Sequence, residues 1–196
     1  MTRLAVLDLG YGNTGSIALA FERLGIDVKL TDDPVTAAAA DRLVLPGVGA
    51  AGPAMARLRE RGLDSVLKER TRPTLGICLG MQLFFERSAE YPSTPLLGLL
   101  PGEVTGFAPT SGFPVPHMGW SRITGVDDGM GLADGDYLYF AHSFRCPDGA
   151  FTAARTTYGP VTVPAALRRE DFWGAQFHPE RSSAAGSRFL EAFAKS

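Results

Sequence analysis

Pro73-Thr74-Leu75-Gly76-Ile77-Cys78-Leu79-Gly80-Met81-Gln82 is a short apolar run that ends in a cysteine. Glycine stands two residues before that cysteine and two residues after it. A helix-like segment, Met81 to Ser88, follows at once. G-x-C-x-G is the thiol form of the nucleophile elbow, in which a strand turns sharply into a helix and lifts one side chain clear of the sheet. The backbone at the nucleophile is strained, so both neighbouring turns must approach it without a Cβ in the way. The thiol then sits at a helix N-terminus, where the macrodipole favours thiolate. A second reading stays open at this point: a buried structural cysteine between two packing glycines.

Outward from Cys78, the first half of the chain alternates strand and helix signals. Leu4–Leu7 reads as a buried strand ending at Asp8. Ile17, Ala20, Phe21 and Leu24 then share one helical face, and Gly25 stops that helix. Asp27 to Thr31 reads as a second strand and Arg42–Leu45 as a third. A helix beginning near Pro53, a good first-turn residue, carries Met55 and Leu58 inward and breaks at Gly62. Another, Asp64 to Arg70, leads into the Cys78 strand. This alternation predicts a parallel sheet with right-handed crossovers. Ligands of such sheets bind beyond the carboxyl ends of the strands. Asp8, the Gly47–Gly49 loop and Cys78 all fall at those ends.

From Ser93 the texture changes. Pro and Gly punctuate short strand-like runs: Gly102 to Phe107, Trp120 to Gly125, Tyr137 to Phe144, Phe151 to Thr157 and Val161 to Leu167. Turns fall at Asp128-Gly129 and Tyr158-Gly159-Pro160. Asp171 to Phe177 is a further strand, ending in His178-Pro179-Glu180. A last helix, about Ser183 to Ala194, packs Phe189, Leu190 and Phe193 inward, with a serine available as N-cap. No linker or internal repeat interrupts the pattern. The expectation is a single domain over residues 1–196: flavodoxin-like α/β, with a central mostly parallel sheet flanked by helices and a β-rich second half.

The net charge of -2 gives no compositional support to a nucleic-acid role. The apolar runs are far too short to span a bilayer. Met1-Thr2-Arg3-Leu4 enters a strand with no signal-peptide core. Two cysteines, Cys78 and Cys146, suggest a reducing, cytoplasmic setting rather than a disulfide scaffold. His117, His142 and His178 are far apart in sequence and no C-x-x-C exists, which argues against structural zinc unless residues converge in space. Gly10-Tyr11-Gly12-Asn13-Thr14-Gly15 matches G-x-G-x-x-G after a strand, with Asp32 and Asp33 near the place of a ribose-binding acid. A tight strand-to-helix turn would use the same glycines, so a dinucleotide site is the alternative reading of this loop.

A cysteine nucleophile needs a base, and the base needs an orienting partner. His178 ends a strand, Pro179 stiffens the turn after it, and Glu180 can fold back onto one imidazole nitrogen. An acyl-transfer site also needs donors for an oxyanion. Gly47-Val48-Gly49 can turn a backbone N–H toward the site, and Leu79, after the nucleophile, supplies a second.

Gly76-Ile77-Cys78-Leu79-Gly80-Met81-Gln82 together with Gln176-Phe177-His178-Pro179-Glu180 resembles the class I, triad-type glutamine amidotransferases. Within them the chain is most similar to the glutaminase subunits of imidazole glycerol phosphate synthase. That likeness is carried by Gly10-Tyr11-Gly12-Asn13, Pro46-Gly47-Val48-Gly49, Pro116-His117-Met118-Gly119-Trp120 and Tyr139-Phe140-Ala141-His142-Ser143. It runs from about residue 4 to the C-terminal helix.

The resemblance implies that Cys78 attacks the side-chain amide of glutamine, His178 shuttles the proton and Glu180 orients His178. It implies an oxyanion hole at Gly49 and Leu79. It assigns glutamine binding to Gly47, Gln82, His142, Ser143 and Phe144. It implies ammonia transfer to a (β/α)8-barrel cyclase subunit as heterodimer partner in histidine biosynthesis, with no metal or organic cofactor. Asn13, Trp120, Tyr139 and Arg181 become candidates for the partner interface. Three positions depart from the family pattern: Leu9 and Phe144, where tyrosine is common, and Arg181, where lysine is. Arg181 keeps the charge and changes the geometry.

Overall fold

The computed structural model describes residues 3–10, 12–90, 93–108 and 110–196. Tyr11 of the glycine-rich turn and Met1-Thr2 lie outside the described residues. The first half runs β1 (Leu4–Leu7), α1 (Thr14–Glu22), β2 (Val28–Thr31), α2 (Pro34–Ala39), β3 (Arg42–Leu45), α3 (Ala51–Glu60), α4 (Leu63–Glu69), β4 (Thr74–Ile77) and α5 (Leu79–Gln82). Next come β5 (Arg87–Ser88), β6 (Thr94–Pro95), β7 (Glu103–Gly106), β8 (His117–Thr124), β9 (Tyr137–His142), β10 (Phe144–Arg145), β11 (Thr152–Tyr158), β12 (Val161–Arg169) and β13 (Phe172–Ala175). A single 3-10 turn, Pro179–Arg181, leads into α6 (Ser183–Lys195).

Nine strands form one sheet in the order β2-β1-β3-β4-β13-β12-β11-β8-β9, and four short ones form another, β10-β7-β5-β6. Pairings from β2 through β13 are parallel; β13 to β9 are antiparallel. The central sheet is therefore parallel on the side that carries Cys78 and antiparallel on the other. The period-2 geometry of the strands sends alternate residues to opposite faces. Ala5, Leu7, Leu43 and Leu45 join α2–α4 in one core layer, whereas Leu4, Val6 and Val44 join Ile17 and Phe21 of α1 and Phe189 and Phe193 of α6 in the other. No helix among the described residues is long and apolar enough to cross a membrane.

Three local expectations are corrected, and one helix is added. The helix placed at Met81 to Ser88 is only Leu79–Gln82, and Ser88 is in β5. Leu83, Phe84 and Phe85 are all buried in succession, which a one-faced helix cannot achieve. Tyr137 to Phe144 is not one strand: the chain breaks at Ser143 and Phe144 pairs with Gly106 in the small sheet. α2 has no counterpart in the sequence reading, although Asp33 accepts from the Thr36 N–H at 2.9 Å and Pro34 opens the helix. Ser182 precedes α6 but makes no side-chain cap; its hydroxyl has another task, described next.

Candidate active site

β4 ends at Ile77 and α5 begins at Leu79, so Cys78 alone turns the chain. Its backbone lies at φ 53°, ψ −110°. A non-glycine residue held there stores about 1–3 kcal/mol, which the surroundings must offset. The Cys78 N–H donates to the Ala175 carbonyl at 2.7 Å, and the Cys78 carbonyl accepts from Met81 at 3.1 Å. A Cβ on Gly80 would lie 1.9 Å from the Leu45 carbonyl oxygen, and one on Gly76 would lie 2.6 Å from the Gly80 backbone. The elbow is wedged against β3 with no room for a side chain. The glycines therefore pack, and the sulfur is still displayed: Cys78 lines a cavity of about 570 Å³.

That cavity brings together Asn13, Gly49, Cys78, Leu79, Gln82, His142, Ser143, Phe144, His178 and Arg181, with Val48, Glu90, Pro116 and Ala141. Gly49 sits at φ 86°, a left-handed conformation that suits glycine. Gly47 does not line the cavity; a Cβ there would meet Gly80 N at 2.6 Å. Trp120 and Tyr139 lie outside it, on the outer face of the β8–β9 pair. They oppose each other in register, ring centroids 6.0 Å apart, with the Arg181 guanidinium 4.5 Å over Tyr139. Trp120 is 50% exposed, which removes it from the core.

His178 is pinned through its backbone. Its N–H donates to the Tyr139 carbonyl at 2.8 Å, and its carbonyl accepts from the Ser182 hydroxyl at 2.7 Å. The Ser182 oxygen in turn accepts from the Tyr139 N–H at 3.0 Å. His178 Nδ1 donates to Glu180 Oε1 at 2.9 Å, which leaves Nε2 for the side of Cys78. Asn13 Nδ2 donates to the same Glu180 oxygen at 3.3 Å. Glu180 is itself wholly buried behind His178, and its Oε2 has no partner among the described residues. Burial opposes a charged His178, but hydrogen bonds and charges from Cys78 and Glu180 outweigh it and raise its pKa to about 10.

The other two histidines form a buried pair. His142 Nδ1 meets the Phe144 carbonyl at 2.8 Å, His142 Nε2 meets His117 Nδ1 at 3.0 Å, and His117 Nε2 meets the Ser121 hydroxyl at 2.8 Å. A carbonyl only accepts, so His142 carries its proton on Nδ1, His117 donates from Nδ1, and Ser121 donates to His117. Burial lowers His117 to about 4. Burial lowers His142 to about 3, against the Phe144 carbonyl, with His117 and His178 adding repulsion.

Gln82 Nε2 donates to the Phe144 carbonyl at 2.9 Å and to Gln176 Oε1 at 3.0 Å. Both amide hydrogens are thus spent inside the protein, and only Oε1 remains to meet a ligand. Glu90 is the one acid lining the cavity among the described residues, and it holds the N-terminus of α3 by accepting the Ala51 N–H at 2.6 Å. Nothing local in Ser88-Ala89-Glu90 announces this. Of the two acids that follow the glycine-rich turn, Asp32 is paired with Arg61 and Asp33 caps α2. Among the described residues no cluster of three His, Cys, Asp or Glu could hold a metal ion.

Residues 5–196 match the family model described as glutamine amidotransferase class-I. The chain is 44% identical over 194 residues to the imidazole glycerol phosphate synthase subunit HisH of Escherichia coli (strain K12), covering 97% of both chains. It is 42% identical over 199 residues to the HisH 1 subunit of Vibrio vulnificus (strain YJ016), again over 97% of each. A solved structure described as a glutamine amidotransferase superposes with a TM-score of 0.77 at 22% identity, over 98% of this chain and 97% of that one. The chain belongs to the class-I glutamine amidotransferase family, in its HisH branch.

Proposed function

We propose that the chain hydrolyses glutamine to glutamate and ammonia through Cys78, His178 and Glu180. In this reading it hands the ammonia to a (β/α)8-barrel cyclase subunit, as one half of a cytoplasmic heterodimeric imidazole glycerol phosphate synthase in histidine biosynthesis. The observation that carries the reading is the strained Cys78 elbow sharing a cavity with a His178 whose Nδ1 is taken by a buried Glu180. The Cys78 sulfur attacks the δ-carbon of glutamine, and backbone N–H groups of the Gly49 loop and Leu79 receive the oxyanion. His178 is protonated through neutral pH, so it is ready to give its Nε2 proton to the departing nitrogen. Ammonia leaves, a γ-glutamyl thioester remains, and a water deprotonated by His178 releases glutamate.

Glu90 is placed to take the α-ammonium of glutamine, and Gln82 Oε1 with the backbone of His142 to Phe144 fixes the rest of the substrate. Asn13 and Arg181 line the cavity, Arg181 continues onto the Tyr139 ring and Tyr139 onto Trp120, and these four residues form the partner face. A half-exposed tryptophan beside a partly buried tyrosine and an arginine suits such a contact. The test is a glutamate-release assay with the cyclase subunit present. Cys78→Ala is expected to abolish glutamine hydrolysis and to leave synthesis from added ammonia intact. Glutamate release by the Cys78→Ala protein would overturn the nucleophile assignment.

A further inference from the structure

We infer that Gln176 is a further catalytic residue: its side-chain amide donates to the Cys78 sulfur and stabilises the thiolate. This rests on Cys78 being the nucleophile. Gln176 is fully buried on the stretch between β13 and His178, 98 residues from Cys78, and its Nε2 lies 3.8 Å from Cys78 Sγ. That distance is within the range of a hydrogen bond to sulfur.

The direction of the amide follows from its neighbours. The Phe144 carbonyl can only accept, so the Gln82 atom 2.9 Å from it must be the NH2 group. The same nitrogen lies 3.0 Å from Gln176, so the Gln176 atom facing it must be the oxygen. Gln176 has then one place for its NH2 group, toward the sulfur. A single backbone carbonyl thereby sets the polarity of a buried chain from Phe144 through Gln82 to Cys78. Rotating the Gln176 amide would bring two NH2 groups together and turn an oxygen toward the sulfur, leaving buried groups unsatisfied.

The need for such a donor comes from the shortness of α5. A four-residue helix aligns few peptide dipoles, so little of the thiolate's stabilisation comes from the helix end. The sulfur also faces the Ala141 carbonyl oxygen at 3.9 Å, the negative end of a peptide dipole. A fixed, buried amide donor counters that carbonyl, and hydrogen bonds to charged groups are the strong ones.

The test uses the full chain. Alkylation of Cys78 by iodoacetamide is followed from pH 5 to 10 without glutamine, with mass spectrometry to assign the modified thiol. Gln176→Met keeps the length and removes the donor. At pH 7 it is expected to slow Cys78 alkylation about tenfold, move the profile up by about one pH unit, and lower kcat about tenfold with KM within threefold. An unchanged alkylation profile in folded Gln176→Met would overturn the proposal. It would leave the nucleophile assignment standing, since that falls only with glutamate release by Cys78→Ala. A second measurement needs no variant at Gln176. The side-chain 15N resonance of Gln176 in the wild-type chain should move when Cys78 ionises and stay fixed across the same pH range in Cys78→Ala. A resonance that does not follow Cys78 would also overturn it.

Discussion

His178 and the His117–His142 pair are equally hidden, and their pKa values move in opposite directions. The three side chains belong to residues 8%, 1% and 5% exposed, so burial does not separate them. Partners do. His178 has a carboxylate on Nδ1 and the Cys78 sulfur beside it, and its pKa rises to about 10. His117 and His142 have each other, a serine hydroxyl and a carbonyl, and theirs fall to about 4 and about 3. A neutral neighbour can orient an imidazole but cannot repay its desolvation when charged. One region thus favours the protonated imidazole, and the other favours two neutral rings held in one arrangement.

The contrast breaks most severely if the carboxylate behind His178 is neutralised. Glu180→Gln keeps the size of the side chain and removes the charge. It should bring the His178 pKa down from about 10, as read by NMR titration, because burial then meets less opposition. Glutamine hydrolysis should fall about a hundredfold or more, the scale of general acid–base catalysis. A Glu180→Gln protein with wild-type kcat would show that the orienting role lies elsewhere.

The buried pair gives the opposite pH signature. Both histidines have folded pKa values below their ordinary 6.5, so their contribution to stability is complete above pH 6.5 and lost as pH falls toward 4. His178, raised to about 10, contributes fully below pH 6.5 and loses that contribution as pH rises through 10. His142→Asn retains a donor for the Phe144 carbonyl and cannot titrate near neutrality. Its thermal midpoint should therefore drop less than that of the wild type between pH 7 and pH 4.5. Equal drops would mean that the pair charges without penalty.

The two regions also differ in how far sequence reaches. Gly76, Gly80 and Pro179 mark the turns on which Cys78 and His178 stand, and the continuous apolar runs of β1, β3 and β4 place those turns at one end of a parallel sheet. Such signals are local. α2 hides because among its residues only Ala37 is fully buried, so its apolar face is too narrow to register. The split between β9 and β10 hides because Ser143 gives no turn signal; the break is imposed by Phe144 pairing with Gly106 in another sheet. Glu90, the direction of Gln176 and the use of Ser182 depend on atoms meeting across tens of residues, with no period or punctuation to reveal them.

The smallest expected effect separates the charged histidine from the surface outside it. The Tyr139 backbone holds both His178 and Ser182, while its ring carries the Arg181 guanidinium and faces Trp120. Tyr139→Leu keeps the backbone bonds and removes the ring. The unpartnered chain should then hydrolyse glutamine within twofold of the wild type. Affinity for the cyclase subunit, measured by titration calorimetry, should weaken about two- to tenfold, the range of one cation–π or aromatic contact at a partly exposed site. If instead kcat falls in the isolated chain while affinity holds, the ring acts on His178 through β9. The outer face would then belong to the charged region rather than to the partner.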